Sequence, residues 1–382
     1  MNFPIHKFDK LETPFYYYDL DLLRATLGEI KEKAAVSDKF CVHYAIKANT
    51  NPAILQTIAR EGLGADCVSG GEIEAAIEAG FPANKIMFAG VGKTDKEINI
   101  ALDNDILCFN VESVPELEII DMLAGAKGKR ARIALRVNPD VDAHTHSHIA
   151  TGRAEDKFGI DIKLIDDVLS LAGKLKNVEL FGLHFHIGSQ ILDMDDYVRL
   201  CDQINPLIKD LEARGITINH VNVGGGLGID YSDPDRHPIP DFAAYFATFI
   251  DHLAIRPHQT VHFELGRAIV AQCGTLISRV VFVKEGRIKK FVIVDAGMND
   301  LIRPALYGAY HKIENLSSTS SERESYEVVG PVCESSDVFG RDVDLPLTVR
   351  GDLIAIRSAG AYGEIMASQY NCHPFPRSVI SD

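Results

Sequence analysis

Between Phe40 and Gly266, apolar runs alternate with stretches of helical spacing, and this alternation points to the architecture. The strand-like runs are FCVHYAIK (40–47), GADCVS (64–69), KIMFAG (85–90), ILCFNVES (106–113), RIALRVNP (132–139), LFGLHFHIG (180–188), HVNVGGG (220–226) and TVHFELG (260–266). Each is short, apolar or alternating, and bounded by Gly, Asn, Pro or Asp. Helix-period segments lie between them at 52–61, 71–79, 94–103, 114–124, 163–175, 193–214 and 241–254. Pro52 suits a first helical turn, and Asp195 and Asp241 suit an N-cap or first turn. Eight βα-like units in this span match the ~250 residues of a (β/α)8 TIM barrel. A doubly wound open sheet would need a phosphate loop after its first strand. Here the first strand ends in YAIKAN, with a lysine, and the glycine cluster follows the seventh. The pattern predicts an α/β barrel over residues 23–268.

Beyond Gly266 the long helical stretches stop. LISRVVFV (276–283), a KEGR turn and KKFVIVDAG (289–297) predict a hairpin. YEVVGPVCES (326–335) and DLIAIRSAG (352–360) predict further strands. The aromatic run FYYYDL (15–20) is strand-like and is expected to pair with them. Residues 1–22 and 269–382 therefore read as a second, all-β, Greek-key-like domain. The polar stretch ENLSSTSSERES (314–325) reads as an exposed loop.

Composition narrows the function. Lys+Arg is 39 and Asp+Glu is 54 in 382 residues, a formal charge of −15, which argues against a nucleic-acid scaffold or a polybasic membrane binder. No apolar run approaches the ~18 residues of a membrane span, and Met1–Leu11 lacks a secretory apolar stretch. Seven scattered cysteines without a CxxC pair fit a reducing cytoplasm rather than a disulfide framework.

Several motifs carry candidate chemistry. Lys47 ends the first barrel strand, on the face where barrels build active sites. A lysine there is either ion-paired or a Schiff-base nucleophile for a carbonyl compound. VGGGLG (223–228) after strand seven and ELGR (264–267) at strand eight occupy the usual phosphate-binding rim, and Ser189 is a further phosphate donor. HFHIGSQ puts His184 and His186 on one strand face. With His144, His146 and His148 in DAHTHSHIATG (142–152), these admit a metal reading, but the other strand ends offer Lys47, Ser69, Asn138 and Gly224 rather than more ligands. No metal site is expected. Glu264 is either an arginine's partner or the partner of a cofactor pyridine nitrogen. Cys333 and Glu334 form a Cys-Glu pair on a strand end.

Taken together, YAIKAN (44–49), GADCVSGGE (64–72), RVNPDVDAHTH (136–146), TGRAEDKFGI (151–160), GLHFHIGSQI (182–191), GGGLGI (224–229), ELGR (264–267), RPALYGAYH (303–311), CESSD (333–337) and GAYGEIMAS (360–368) resemble the fold-type III pyridoxal-phosphate decarboxylases, in one order over nearly the whole chain. One departure is Leu265, where that family usually has proline. The resemblance implies pyridoxal 5′-phosphate as cofactor, with Lys47 on its aldehyde, His186 stacked on the ring and Asp66 near the Schiff base. It assigns the phosphate to Ser189, Gly225, Gly226 and Glu264–Leu265–Gly266–Arg267, and the pyridine nitrogen to Glu264. It implies that Arg267, Arg303 and Tyr307 grip a small amino-acid substrate by its distal carboxylate, that Tyr362 touches cofactor and substrate, and that Cys333 and Glu334 reach into the second subunit's site in a homodimer. The implied reaction is meso-2,6-diaminopimelate to L-lysine and CO2. Its rivals are a decarboxylase of ornithine, arginine, carboxynorspermidine or a siderophore intermediate, a racemase, and a non-catalytic cofactor-binding homologue. Arg303 favours a substrate with a distal carboxylate over a cationic one.

Overall fold

The computed structural model describes residues 3–139 and 157–381. The histidine run His144, His146 and His148, with most of the RVNPDVDAHTH and TGRAEDK segments, lies outside the described residues. The chain forms two compact units. One comprises Thr26–Gly228 and Asp241–Gly266; the other comprises Met1–Ala25, Ile229–Pro240 and Arg267–Asp382. Ile229–Pro240 thus groups with the sheet unit.

β1 (Phe15–Tyr18) belongs to the sheet unit. The barrel is built from β2 (Phe40–Ala45), β3 (Gly64–Cys67), β4 (Ile86–Phe88), β5 (Cys108–Val111), β6 (Ala131–Asn138), β8 (Val178–His184), β9 (His220–Gly225) and β10 (Thr260–Leu265), with the two-residue β7 (Ile160–Asp161) attached to β6. All neighbours pair in parallel, and pairings β10–β2 and β5–β6 close the ring. Several helices between strands start on side-chain caps. Ser69 accepts from Glu72 N–H, Ser113 from Glu116 N–H and Asp241 from Ala244 N–H, while Thr94 and Glu97 form a capping box. One helix had no counterpart in the sequence reading. Leu20–Ala34 buries Leu20, Leu23, Leu27 and Ile30, a helical spacing.

Strand alternation explains which side chains reach the interior. On β10, Phe263 packs against Phe40, Phe246 and Phe249 at 4.9–5.2 Å between ring centroids, sealing the strand to the helix Phe242–His252. Glu264, one residue on, points to the other face. Deeper on that inner face, His43 Nδ1 lies 3.1 Å from the Lys85 carbonyl, and His43 Nε2 lies 2.8 Å from His262 Nδ1. The carbonyl can only accept, so the hydrogen sits on His43 Nδ1 and His262 donates to His43.

The sheet unit contains β11 (Gly274–Glu285), β12 (Lys290–Val294), β13 (Ile313–Asn315), β14 (Arg323–Val329), β15 (Val338–Pro346), β16 (Leu353–Ile356) and β17 (Arg377–Ile380). β11 and β12 form the expected hairpin, and β1 pairs with both β11 and β17. The order β16-β11-β12-β14 brings the last strand beside the first, as in a Greek key, but β12 and β14 run parallel and the sheet is mixed. Two expectations change here. The stretch 314–325 is not all loop, since β13 and β14 take its ends. The strand predicted over 326–335 stops at Val329, so Cys333 and Glu334 sit in a loop.

Candidate active site

The rim of the barrel at the strand C-termini gathers a dense polar set. Lys47 does not end its strand. It sits in a single 3-10 turn, Ile46–Ala48, just past β2. Its Nζ lies 3.8 Å from Asp66 Oδ2; the lysine side chain is 41% exposed and the aspartate side chain 1%. Asp66, paired in register with Ala45, has no hydrogen bond to either carboxylate oxygen. Burial, then the charge of Glu264, pushes its pKa up to about 8, against the opposing charge of Lys47. A buried acceptor without donors calls for a partner.

Glu264 is the hub. Its Oε1 accepts from Asn110 Nδ2 at 3.1 Å and Asn222 Nδ2 at 2.7 Å, and its Oε2 accepts from His184 Nε2 at 3.1 Å. These donors come from β5, β9 and β8, so three strands aim at one carboxylate. Burial raises the Glu264 pKa; the Lys47 charge and the Asn222 hydrogen bond oppose it. His184 is driven well below the ordinary histidine range, first by burial and then by the Arg136 charge, so its ring is neutral. Beside this hub, Arg136 donates to Glu112 at 2.7 Å. Glu112 also accepts from Gly90 N–H and Gly159 N–H. Burial would raise the Glu112 pKa, but the Arg136 charge outweighs it and holds the group ionised.

β8 ends at His184, so His184 and His186 do not share a strand face; His186 lies in the loop beyond. Its Nδ1 accepts from Gly225 N–H at 3.2 Å, and desolvation keeps the ring neutral. The two loops after β8 and β9 are tied together by Ile191 N–H to Gly226 O and Gly228 N–H to Ile191 O, both 2.8 Å. A Cβ at Gly224, Gly225 or Gly226 would fall 2.4, 1.8 or 2.5 Å from a backbone oxygen. Gly224 and Gly226 also have positive φ, 72° and 102°, so this turn has room only for backbone. Ser189 is half-buried next to it.

In the sheet unit, Arg267 and Arg303 are both buried. Each donates Nη1 to the single phenol oxygen of Tyr231, at 2.5 and 2.7 Å. Arg267 also lies over the Tyr362 ring, 5.0 Å from its centroid. Tyr362 has φ 56°, an unusual conformation for a bulky residue. Tyr307 ends the short helix begun by Arg303. The loop carrying Cys333 and Glu334 is braced by Asp337, which accepts from Met298 N–H and Val332 N–H, both at 2.7 Å. Cys333 is exposed and its N–H donates to Asn371 Oδ1; Glu334 accepts from Tyr370 Oη–H at 2.6 Å. Among the described residues no cluster of three or more His, Cys, Asp or Glu could hold a metal ion.

The chain matches the family described as "Pyridoxal-dependent decarboxylase, pyridoxal binding domain" over residues 23–271. The chain belongs to the pyridoxal-dependent decarboxylases. It is 61% identical to a diaminopimelate decarboxylase of Bacteroides thetaiotaomicron, over 100% of this chain and 98% of that protein. The crystal structure of diaminopimelate decarboxylase from Helicobacter pylori complexed with L-lysine superposes with a TM-score of 0.93 at 42% identity, covering 99% of this chain and 94% of that one. The enzyme of M. jannaschii, also in co-complex with L-lysine, superposes with a TM-score of 0.91 at 37% identity, covering 99% and 89%.

The residues present fit the pyridoxal phosphate of this family. Lys47 offers a primary amine beside a buried carboxylate that lacks donors. Glu264 is oriented by three donors and keeps lone pairs for a ring N–H. The neutral His186 supplies a flat face, and the glycine turn supplies a backbone-only cradle for a phosphate. The barrel unit holds Lys47, Asp66, His186, Ser189, Gly225, Gly226, Glu264, Leu265 and Gly266. Arg267, Arg303, Tyr307, Cys333, Glu334 and Tyr362 belong to the sheet unit. Leu265 is fully buried and pairs in the ladder with Tyr44, so the departure from proline keeps a backbone N–H at that position. The sequence reading passed over Asn110, Asn222, Arg136, Glu112 and Tyr231. A signal existed for the first two, because each is a polar residue on an otherwise apolar strand.

Proposed function

We infer that the chain is a carboxy-lyase that uses pyridoxal 5′-phosphate to convert meso-2,6-diaminopimelate to L-lysine and CO2. The observation that carries this is full-length identity of 61% to a diaminopimelate decarboxylase, supported by two buried arginines converging on one oxygen. When bound, the cofactor supplies a ring that accepts the electron pair left behind as CO2 departs. Lys47 carries it, and Glu264 keeps the ring nitrogen protonated. Asp66 faces the Lys47 amine at 3.8 Å, and His186 fixes the ring plane. Ser189, Gly225, Gly226 and the Glu264–Arg267 segment hold the phosphate, with the Gly225 amide shared with His186. Arg267 and Arg303 grip the distal carboxylate, a planar fork-to-fork contact that lysine cannot reproduce. Tyr307 and Tyr362 flank the substrate. Cys333 returns a proton to the carbon that lost CO2, and Glu334 takes the substrate ammonium.

The exposed Cys333–Glu334 loop supports a homodimer in which each copy lends this loop to its partner's site. Mixing inactive Lys47→Ala with inactive Cys333→Ala chains then restores activity, because one site of the mixed dimer is intact; subunits that exchange without any return of activity reject the shared site. No described helix is long and apolar enough to cross a membrane, and the scattered free cysteines support a cytoplasmic enzyme that binds neither nucleic acid nor membrane. CO2 release from meso-diaminopimelate, lysine and ornithine in parallel tests the activity. Release from diaminopimelate alone is expected, and faster release from ornithine overturns the assignment.

A further inference from the structure

Tyr231 has no role in the reading above, yet it is the most constrained side chain beside the arginines. Its backbone is mounted rigidly. Asp230 Oδ1 accepts from Ser232 N–H and Asp233 N–H at 2.8 and 2.9 Å, and the Asp230 carbonyl accepts from Gln272 Nε2 at 2.9 Å. Gln272 is itself held by Ser358 Oγ–H at 2.6 Å. The phenol ring lies under both guanidiniums, with centroid distances of 5.9 Å to Arg267 and 5.3 Å to Arg303. His311 meets the ring edge-on at 5.2 Å. Burial, then the charge of Arg303, pushes the His311 pKa to about 3, so that ring adds no charge.

Both arginines send a charge-assisted donor to the same oxygen. Two like charges brought this close repel, and an electron-rich oxygen between them relieves the repulsion. The effect shows in Tyr231 itself: burial would raise the phenol pKa, but the two guanidiniums outweigh it and lower it below the ordinary value. A carboxylate has more lone pairs and a full charge, so it is the better acceptor for the same two donors.

We propose that Tyr231 is a positioning residue for the distal carboxylate: its phenol oxygen sets the spacing of the Arg267 and Arg303 guanidiniums and exchanges their donors with the carboxylate as substrate binds. This rests on the reading of the two arginines as the carboxylate grip. Deprotonated Tyr231 competes with the carboxylate, so substrate affinity falls as pH rises through the lowered phenol pKa. Among the described residues, the charged or titratable groups facing Tyr231 are Arg267, Arg303 and His311, with Asp230 and His237 on its own segment and Tyr362 beyond Arg267.

The test is Tyr231→Phe in the cofactor-loaded enzyme, which keeps the ring and its stacking. KM for diaminopimelate is expected to rise about tenfold, because without the phenol oxygen the two like-charged guanidiniums move apart before the carboxylate arrives, with kcat and the cofactor absorbance little changed. The alkaline loss of affinity should disappear. Competition by lysine, which keeps the distal carboxylate, should weaken in step, whereas competition by 1,5-diaminopentane, which has none, should not. An unchanged KM and pH profile, or equal losses for lysine and diaminopentane, overturns the proposal. Arg303→Ala run alongside separates the two levels. If Arg303→Ala is near wild type, the carboxylate grip itself fails; if it is impaired while Tyr231→Phe is not, only the role of Tyr231 fails.

Discussion

The barrel rim and the arginine pair solve the same problem, holding a buried charge in place, by opposite means. At the rim, Glu264 is fixed by Asn110, Asn222 and His184, each mounted on a different strand. The barrel backbone sets these positions, and the donors are neutral. In the sheet unit, Arg267 and Arg303 stand on short helices of four and five residues, and their common partner Tyr231 comes from a loop segment. A strand lattice distributes orientation over many hydrogen bonds, so loss of one donor leaves the rest in place. A grip made by two side chains on one oxygen concentrates the effect in each member. The rim is therefore expected to tolerate loss of a supporting residue better than the grip tolerates loss of an arginine.

The largest effect is expected from Lys47→Ala. It removes the rim amine proposed to carry the cofactor, so turnover should be abolished and the visible absorbance of the bound cofactor altered. Borohydride reduction of the wild type followed by peptide mapping should label Lys47. A label elsewhere would falsify the cofactor assignment. Next comes Arg303→Ala, which removes one arm of the grip. Loss of a charge-assisted contact in a desolvated pocket costs roughly 2–5 kcal/mol, so kcat/KM for diaminopimelate should fall by about 30-fold to several-thousand-fold with cofactor retained. Arg267→Ala measured beside it shows how far the second arm compensates. A near-wild-type value for Arg303→Ala would remove the main reason for preferring a substrate with a distal carboxylate.

Asn222→Ala sharpens the comparison from the rim side. Glu264 keeps Asn110 and His184, but the Gly224 N–H loses the Asn222 Oδ1 acceptor at 2.9 Å. One lost hydrogen bond to a charged group predicts about a tenfold fall in kcat, smaller than the Arg303 effect; a loss equal to that of Arg303→Ala would mean the lattice does not share the load. The smallest effect at neutral pH is expected from acidification. Burial holds six imidazoles, His43, His184, His186, His220, His262 and His311, below the ordinary range, with His43 at about 4 and His311 at about 3. The unfolded chain takes up protons on these groups below about pH 6.5 while the folded chain does not, so their contribution to stability falls as pH drops from there. Six buried carboxyls with raised pKa values act in the other direction: Asp66 at about 8, Glu72 at about 7, Asp300 at about 6, and Glu116, Glu264 and Asp337. The two sets offset each other in the thermal midpoint, so the check is by NMR: buried imidazole signals that titrate between about pH 7 and 5 would contradict the neutral assignment.

The barrel was legible because its strands are short apolar runs with turn residues at both ends, and its helices carry their caps in sequence. The strand limits were less so. Lys47, His186, Cys333 and Glu334 were all expected on strands or strand ends, and all four lie in turns or loops just past them, because hydrogen-bond pairing stops earlier than the apolar pattern does. The helix Leu20–Ala34 has a helical signal in the spacing of Leu20, Leu23, Leu27 and Ile30, next to the aromatic strand that precedes it. Asn110 and Asn222 were visible as polar breaks in apolar strands, but their common target was not.

Local pattern settled the alternation of strand and helix, the glycine turn and the residue types of the chemistry, because these depend on periodicity and on side chains whose spacing is written along the chain. Which of those residues act together is set by the three-dimensional fold. Asn110, His184, Asn222 and Glu264 are spread over more than 150 residues, and Tyr231, Arg267 and Arg303 over more than 70. What joins them is the closure of the barrel and the return of Ile229–Pro240 to the sheet unit. A hydrogen bond requires two groups within about 3 Å, a condition that local pattern cannot impose on residues so far apart in the chain.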